Sequence, residues 1–329
     1  MRSLTGARGV IAGKFYPPHK GHHHLINTAL ADCTEVDVLV VDNPDYVIPA
    51  QLRRQWLQAE HPGARVHIIP DIGKDDDSVA WAAHAMQFLG YAPDVVYSSE
   101  DYGPNWAHYM GAQHVMVDQS RQVVPMSGTI ARRDILAAWD CLSPSVRAGL
   151  ALRVVIVGAE STGTTTLARA LADALHVPWV PEVGRFYTES ILSDGGAWGN
   201  EDFYRIAHLQ QSYEAAIAVR SRGVIVCDTN TVATELWQRR YLGETTSHMH
   251  EIASKDKADL YVITGDEIPF VQDGIRDGEH IRHEMHQWFL EHIAATSVPF
   301  IVVTGSVEER LAATEQAARD MIERCRVVR

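Results

Sequence analysis

The chain has 329 residues, of which 46% are hydrophobic and 22% charged, as expected of a globular protein long enough for two domains. Its net charge of −13 offers no broad basic face, which argues against nucleic-acid binding and requires that any polyanionic ligand be held by locally placed donors. The sequence shows no apolar stretch long enough to span a membrane and no secretory segment, so we expect a cytoplasmic protein without a membrane partner. Its four cysteines are widely spaced, so we expect reduced thiols.

Short β-branched runs alternate with helical stretches along the whole chain. The first half contains predicted helices at 21–31, 50–60, 78–90 and 129–140, and predicted strands at 8–15, 36–41, 65–70, 94–99 and 113–118. The second half contains predicted strands at 153–158, 178–182, 223–228, 259–264 and 299–305. Continuous hydrophobicity within these strands indicates burial on both faces. We therefore expect an α/β protein with two doubly wound parallel-sheet domains, a nucleotidyltransferase-like one over 1–146 and a P-loop kinase-like one over 151–329.

The first predicted strand leads into GKFYPPHKGH, residues 13–22. Gly21 permits a close approach of the backbone to a ligand, and His22 opens a helix whose first N–H groups favour phosphate. Charge that develops on a transferred phosphoryl group can accept hydrogen bonds from His22, His19 and Lys14. An isolated H-x-G-H pattern is also compatible with solvated histidines at a helix start. Its position after the first strand of a parallel sheet favours a phosphate site.

A second segment, PMSGTIARRD at 125–134, follows the fifth predicted strand. It places Ser127, Thr129 and Arg132 in a turn that leads into a helix. Hydroxyl, amide and guanidinium groups at a helix start form a second phosphate-binding site. Taken alone, the segment is equally typical of a serine N-cap followed by surface arginines.

The sequence GAESTGTTTL, residues 158–167, has the frame of a phosphate-binding loop between a strand and a helix. Thr165 stands at the hydroxyl position that ligates Mg²⁺, but Thr164 stands where the consensus has lysine. Loss of one preorganised donor to the transferred group costs roughly 3–4 kcal/mol. The loop residues predicted to contact a nucleotide are Gly158, Glu160, Ser161, Thr162, Gly163, Thr164, Thr165 and Thr166.

Further residues in the second half are typical companions of such a loop. Asp228 ends a strand at the usual position of a Mg²⁺-linked carboxylate, and Glu182 ends another strand, three residues before Arg185. Asp273 and Arg276 follow in a D-G-x-R segment. Each of these residues has an ordinary alternative as a cap or a solvated side chain, and together they favour a nucleotide-kinase fold.

The pair GKFYPPHKGH and SGTIARR resembles the signature of the nucleotidyltransferase superfamily, with Met126 in place of an isoleucine. With the P-loop domain that follows, nearly the whole chain resembles the bifunctional nicotinamide-mononucleotide adenylyltransferase/ribosylnicotinamide kinase family of the NadR type. The resemblance includes the segments 48–57, 79–90 and 97–101. Longer family members carry an N-terminal helix-turn-helix module, which we do not expect here because the first strand begins almost at residue 1.

The resemblance implies an enzyme of NAD biosynthesis that uses ATP with Mg²⁺ and transfers AMP to nicotinamide mononucleotide, with a second activity on ribosylnicotinamide. The residues that it implies to be catalytic are Lys14, His19, His22, Arg132, Glu182 and Asp228. Those implied to bind ATP outside the loop 158–166 are Phe15, Tyr16, Gly21, Ser127 and Thr129. Those implied to bind substrate are Arg53, Trp56, Trp81, Arg185, Asp273 and Arg276, and those implied to hold Mg²⁺ are Thr165 and Asp228. For the two tryptophans, a purely structural role is equally open.

Three interpretations remain open at the level of sequence. In the leading one, the kinase is active because Arg276, Arg185 or an arginine of a lid at 237–244 replaces the charge of the lysine. In the second, the P-loop domain binds ATP without consuming it and acts as a regulatory module. In the third, the transferase acts on another phosphorylated acceptor, such as a pantetheine or flavin phosphate, although the tryptophans and the fused domain argue against it. The expected partners are small nucleotides, and a homo-oligomer is left open.

Overall fold

In the computed structural model, the chain is described over residues 6–191, 197–272 and 276–327. It forms two compact units: the first extends to Arg147 and includes the end of the chain from Arg326, and the second comprises Ala148–Cys325. The second domain was predicted to run through residue 329. The end of the chain instead groups with the first unit, because the Arg326 carbonyl accepts the N–H of Ile135 at 2.9 Å and its guanidinium pairs with Asp134.

The first unit is built on a parallel sheet with strand order β3-β2-β1-β4-β5. Its strands are β1 (Arg8–Gly13), β2 (Glu35–Asp42), β3 (Arg65–Pro70), β4 (Val95–Ser98) and β5 (Gln113–Met116). Its helices are α1 (Lys20–Asp32), α2 (Ala50–Glu60), α3 (Ser78–Leu89), α4 (Gly103–Met110) and α5 (Gly128–Arg133), and α6 (Pro144–Leu150) runs across the boundary. Residues of α1 and α2 pack on one face of the sheet, and residues of α3 and α4 pack on the other. This layering explains the unbroken hydrophobic strands.

The second unit is built on a parallel sheet with strand order β10-β9-β6-β8-β7. Its strands are β6 (Leu152–Val157), β7 (Trp179–Val180), β8 (Val224–Asp228), β9 (Leu260–Thr264) and β10 (Phe300–Val303). Its helices are α7 (Thr164–Leu175), α8 (Val183–Ile191), α9 (Asn200–Arg220), α10 (Thr231–Leu242), α11 (Ser247–Ser254), α12 (Arg282–Ala294) and α13 (Val307–Cys325). The predicted fold class, two doubly wound parallel-sheet domains, is therefore confirmed.

Two predicted elements have physical reasons for ending earlier in the structure than in the sequence pattern. The helix expected over 129–140 ends at Arg133, and a separate 3₁₀ turn follows at Trp139–Cys141. The strand expected over 178–182 is reduced to Trp179–Val180, because the prolines on either side have no N–H to donate to a neighbouring strand.

In each sheet the first strand of the unit lies inside the sheet, with later strands added on both sides of it. The loops at its carboxyl end therefore open into the crevice where ligands of doubly wound folds bind. Across the described ranges, the helices are all too short or too polar to cross a membrane.

Candidate functional site

The turn between β1 and α1 holds two stacked imidazole rings. His19 is the N-cap of α1, and its Nδ1 accepts the N–H of Gly21 at 3.1 Å. The Nδ1 of His22 accepts the N–H of His19 at 3.3 Å, so that the two side chains form a reciprocal capping box. The ring centroids are 3.7 Å apart, and the Nε2 of His19 is buried with no partner among the described residues.

These contacts determine the protonation state of both rings. Burial, and after it the charges of His23, Arg121 and Arg132, lower the pKa of His19 to about 4. The pKa of His22 is lowered by burial and then by His19. Both rings are therefore neutral near pH 7. Because Nδ1 accepts a backbone N–H in each ring, the proton of the neutral ring lies on Nε2. The capping box thus leaves two Nε2–H donors for a ligand.

The segment after β5 provides the opposite wall of the same crevice. Ser127 is the N-cap of α5, and its hydroxyl accepts the N–H of Ile130 at 3.2 Å. Arg132 donates to the carbonyl of Tyr16 at 3.0 Å and to the hydroxyl of Thr129 at 3.3 Å. The guanidinium is thus fixed between α5 and the turn that carries the histidines, as the two phosphate-binding segments of the sequence predict.

Together these walls line a cavity of about 710 Å³. The predicted residues that line it are Lys14, Phe15, Tyr16, His19, Gly21, His22, Trp81, Ser127, Thr129 and Arg132. Sequence reasoning missed Tyr102, Trp106 and Arg121, which also line it. The G-P dipeptide at 103–104, which opens α4 directly after the predicted pocket segment 97–101, was the available signal for the first two.

Two predicted substrate contacts lie outside this cavity. Arg53 is fully buried and donates to the carbonyls of Ile48 and Val41, each at 3.0 Å, and to that of Lys14. It therefore supports the backbone of the β1–α1 turn from behind. Trp56 is 5% exposed within α2 and does not line the cavity, a position that favours the structural alternative stated for it.

The loop after β6 has the backbone that its glycines predict. Gly163 is the N-cap of α7 in the left-handed region, with φ of +87°. A Cβ at Gly158 would lie 2.1 Å from the Thr264 hydroxyl and 2.6 Å from the Thr162 hydroxyl, so only glycine fits there. The side chain of Thr162 is buried and hydrogen-bonds the hydroxyl of Thr264 at 2.7 Å, so it fixes the loop against β9.

Three arginines from outside the loop hold its backbone or side chains. Arg310 of α13 donates to the carbonyl of Thr162 at 2.7 Å, and Arg282 donates to the carbonyl of Ser161 at 3.1 Å. Arg276 reaches the hydroxyl of Ser161 at 3.3 Å. Because two of these contacts occupy carbonyl oxygens, they stabilise the loop in a conformation whose N–H groups are available to an anion.

Two carboxylates face the start of α7. Asp228, at the end of β8, is 1% exposed, and its Oδ1 is buried without a partner among the described residues. Burial raises the pKa of Glu182, and the nearby charge of Asp228 raises it further. Burial also raises the pKa of Asp228, against the opposing effect of the nearby Thr165 and Thr164 hydroxyls. The described residues contain no cluster of three or more His, Cys, Asp or Glu side chains arranged for a metal ion.

A smaller cavity of about 130 Å³ lies at this loop. The predicted residues that line it are Gly158, Glu160, Ser161, Thr164, Thr165, Glu182, Arg185 and Arg276. Thr162, Gly163, Thr166 and Asp228 do not line it, and Asp273 lies outside the described residues. Sequence reasoning missed four aromatic residues that line it, Trp198, Phe203, Trp237 and Tyr241. The i, i+4 spacing of Trp237 and Tyr241 within α10 is equally typical of core packing.

The two arginines of the predicted lid have different positions. Arg240 pairs with Glu160 at 3.4 Å and with Asp277, and the same Glu160 carboxylate accepts the N–H of Gly278 at 2.6 Å. Arg239 instead lies over the ring of Trp288, 4.1 Å from its centroid. Of the cations considered as substitutes for the lysine, Arg185 and Arg276 line the cavity.

The fold and these loops define an α/β protein with two crevice-bearing units, of which the second is of the P-loop type. A family model described as an AAA domain matches residues 153–310. The chain is 27% identical over 325 residues to the trifunctional NAD biosynthesis/regulator protein NadR of Escherichia coli strain K12, with 90% of this chain and 78% of that protein covered. It is 26% identical over 323 residues to the protein of the same name from Salmonella typhimurium, with the same coverage. The chain is thus similar to the NadR proteins along most of its length, and the resemblance predicted from its motifs is confirmed.

Solved structures show the same fold. A crystal structure of NadR protein in complex with NR superposes with a TM-score of 0.73 at 19% identity, and one in complex with NAD and AMP-PNP superposes with a TM-score of 0.69 at 18% identity. Each covers 98% of this chain and 98% of the other. At this identity, the likeness concerns the fold.

Proposed function

We propose that the first unit transfers the adenylyl group of ATP to nicotinamide mononucleotide and so forms NAD. The observation that carries the proposal is the reciprocal His19–His22 cap, which presents two Nε2–H donors in a cavity that also contains Arg132. The relatives named as NAD biosynthesis proteins support the choice of substrates.

In the proposed reaction, a phosphate oxygen of the mononucleotide attacks the α-phosphorus of ATP. A new P–O bond forms, the bond from the α-phosphorus to the bridging oxygen breaks, and pyrophosphate leaves with the electron pair. The attacking phosphate needs no base, so positioning and electrostatic stabilisation carry the rate. The neutral imidazoles donate to the charge that develops on the phosphorus oxygens, and Arg132 and Lys14 hold the pyrophosphate end. Trp81 lies in the wall available to the pyridine ring.

We further propose that the second unit binds ATP at the loop 158–165 and phosphorylates ribosylnicotinamide. The specific support is the buried, unpartnered Oδ1 of Asp228 beside Thr165, a donor set that fits Mg²⁺. Thr165 and Asp228 would hold this ion, which supplies positive charge to the phosphates when bound. Arg185 and Arg276 are the guanidinium groups in the cavity that can contact the transferred phosphate.

A product assay on the full chain tests both proposals. With ATP and nicotinamide mononucleotide, the wild type is expected to form NAD, and His22→Ala to lower kcat by about 10²–10³-fold, as for loss of one preorganised donor. His24→Ala is the matched control, because its side chain is outside the cavity lining and the variant should retain activity. NAD formation at an unchanged rate by His22→Ala would show that the first-unit assignment is wrong.

The same assay with ribosylnicotinamide in place of the mononucleotide addresses the second unit. Formation of the mononucleotide, lost in Thr165→Ala, supports the kinase. Binding of ATP without product overturns it in favour of the regulatory interpretation. Dinucleotide formed only from a pantetheine or flavin phosphate would favour the third interpretation of the first unit.

A further inference from the structure

A fully buried guanidinium group lies behind the turn between β1 and α1. Arg53 of α2 donates to the carbonyls of Ile48 and Val41, each at 3.0 Å, and to that of Lys14. These three carbonyls belong to the loop before α2, the carboxyl end of β2 and the turn that follows β1. One side chain therefore joins three segments at this end of the sheet.

The contact with Lys14 determines the direction of the next peptide group. The peptide bond between Lys14 and Phe15 is trans, so that its C=O and N–H point to opposite sides. Because the carbonyl points to Arg53, the N–H of Phe15 points away from it. Phe15 lines the cavity, and its φ of +44° lies in the left-handed region that residues with a side chain rarely adopt. Such a conformation persists only where its surroundings fix it, and Arg53 supplies a fixing contact directly beside it.

The charge of Arg53 has no bound counterion among the described residues. Burial lowers the pKa of its guanidinium, and the nearby charge of Asp42 opposes this effect without forming an ion pair. The rings of Tyr16 and Tyr46 lie 5.6 and 5.4 Å from the guanidinium carbon, and the Nη2 atom has no partner in the described part of the chain. A buried cation without a counterion is costly, and an anion bound on the other side of the turn reduces that cost.

We propose that Arg53 is a positioning residue for ATP binding by the first unit. Its three carbonyl contacts hold Lys14 and Phe15 in the conformation that receives the phosphates, and its buried charge favours those anions without touching them. The inference deepens the nucleotide-binding role proposed for the first unit and rests on it. Arg53 thus acts on the substrate through the turn, although it lies outside the cavity lining.

Hydrogen exchange resolved by segment, with the full chain titrated with ATP alone, tests this inference. In the wild type, ATP is expected to slow exchange in 13–24, while binding by the second unit is followed separately at 158–166 in the same sample. Arg53→Gln should raise the ATP concentration for half-maximal protection of 13–24 by at least about tenfold, the equivalent of one charge-assisted hydrogen bond. Arg53→Lys keeps the charge and should recover part of this loss. Arg54→Gln is the matched control, because Arg54 donates to the carbonyl of Val66 in β3, at 2.9 Å, rather than to the turn.

The outcomes distinguish a positioning role from a purely structural one. If Arg53→Gln and Arg54→Gln show the same midpoint for 13–24, Arg53 only stabilises the fold and the inference is overturned. Equal midpoints for Arg53→Gln and Arg53→Lys would overturn the contribution of its charge, and a wild type without protection of 13–24 would overturn the whole inference. Circular dichroism shows whether each variant is folded, and Arg53→Lys, compared with Arg54→Gln, decides the matter if Arg53→Gln is not.

Steady-state formation of NAD gives a second readout. Arg53→Gln should raise the KM for ATP more than the KM for nicotinamide mononucleotide, whereas a smaller fraction of folded enzyme would lower the apparent kcat alone. Because protection of 13–24 requires only binding, a wild type that is protected but forms no NAD would contradict the proposed function and still test the role of Arg53.

Discussion

At the scale of single residues, the contacts that orient the two imidazoles of the first unit also keep them uncharged. His19 is 3% exposed, and its pKa is lowered to about 4, first by burial and then by His23, Arg121 and Arg132. The unfolded chain binds a proton at the ordinary histidine pKa of 6.5. Between these two values the unfolded state holds more protons, so stability rises with pH there and is lost as the pH falls from 6.5 toward 4.

This difference predicts that the acid sensitivity of the first unit decreases in His19→Asn. Asparagine is a good N-cap and keeps a side-chain acceptor for Gly21, but it does not titrate. A shift from 6.5 to about 4 corresponds to about 3 kcal/mol of stability lost by pH 4, which the variant should retain. Urea unfolding at several pH values between 7.5 and 4.5 measures the effect.

Two comparisons make the interpretation of the His19→Asn result unambiguous. His19→Ala removes the cap as well, and its stability should lie about 1 kcal/mol below that of His19→Asn at every pH. If the stability of His19→Asn falls with pH in parallel with the wild type, the buried imidazole is not the source of the acid sensitivity.

The sequence predicted individual residues well where a backbone motif specifies the side chain, and poorly where burial decides its role. His19, His22 and Ser127 occupy helix starts after parallel strands, and the structure brings them to one cavity with Arg132. Arg53 was predicted to contact substrate, but it lies outside the cavity lining and binds three backbone carbonyls. A charged residue on an amphipathic helix is usually exposed, so the sequence alone does not indicate such burial.

At the scale of elements, the β6–α7 loop depends on close packing beneath its first glycine. The hydroxyls of Thr162 and Thr264, 2.7 Å apart, fill the space that a Cβ at Gly158 would occupy. Gly158→Ala must displace both hydroxyls or shift the loop. We expect it to destabilise the second unit by about 1–3 kcal/mol, the usual cost of overpacking, and to weaken ATP binding.

Gly184→Ala is the matched control for the loop. A Cβ there would meet its nearest neighbours at 3.7 Å, an ordinary contact, within helix α8. Its stability should equal that of the wild type or exceed it by about 1 kcal/mol, the helix preference of alanine over glycine. Calorimetric unfolding of both variants measures the difference, and equal transitions for the two would show that the loop tolerates the added methyl group.

Element boundaries were predictable only where a local signal marks them. All ten strands were found within a few residues from hydrophobic runs, whereas α5 was predicted seven residues too long at its C-terminal end. The helical pattern continues past Arg133, but Asp134 leaves the helix with φ of −154° and pairs with Arg326. No local sequence pattern indicates that Asp134 has a partner 192 residues away. The order of the strands within each sheet is likewise a property of tertiary packing.

At the scale of the whole molecule, the last described residues of the chain contribute to the first unit, although the helix before them belongs to the second. The Arg326 carbonyl accepts the N–H of Ile135, a residue that is 2% exposed, and the Arg326 side chain pairs with Asp134. The hydrogen bond from Arg326 lowers the pKa of Asp134. A depressed carboxyl pKa stabilises the fold above the unfolded value of 3.8, and this contribution is lost as the pH falls through the folded value.

Ending the chain at Cys325 is therefore expected to destabilise the first unit selectively. The truncation leaves the buried N–H of Ile135 without its acceptor, which costs about 1–3 kcal/mol. Arg326→Ala keeps the backbone acceptor, removes a partly exposed ion pair and should cost less than about 1 kcal/mol. Hydrogen exchange resolved by segment measures both units in one sample, and exchange in 128–141 should accelerate in the truncated chain while β6, β8 and β9 keep their wild-type protection.

Arg324→Ala, an exposed change in the last turn of α13, is the control. Equal acceleration in both units, or none in 128–141, would mean that the end of the chain does not stabilise the first unit.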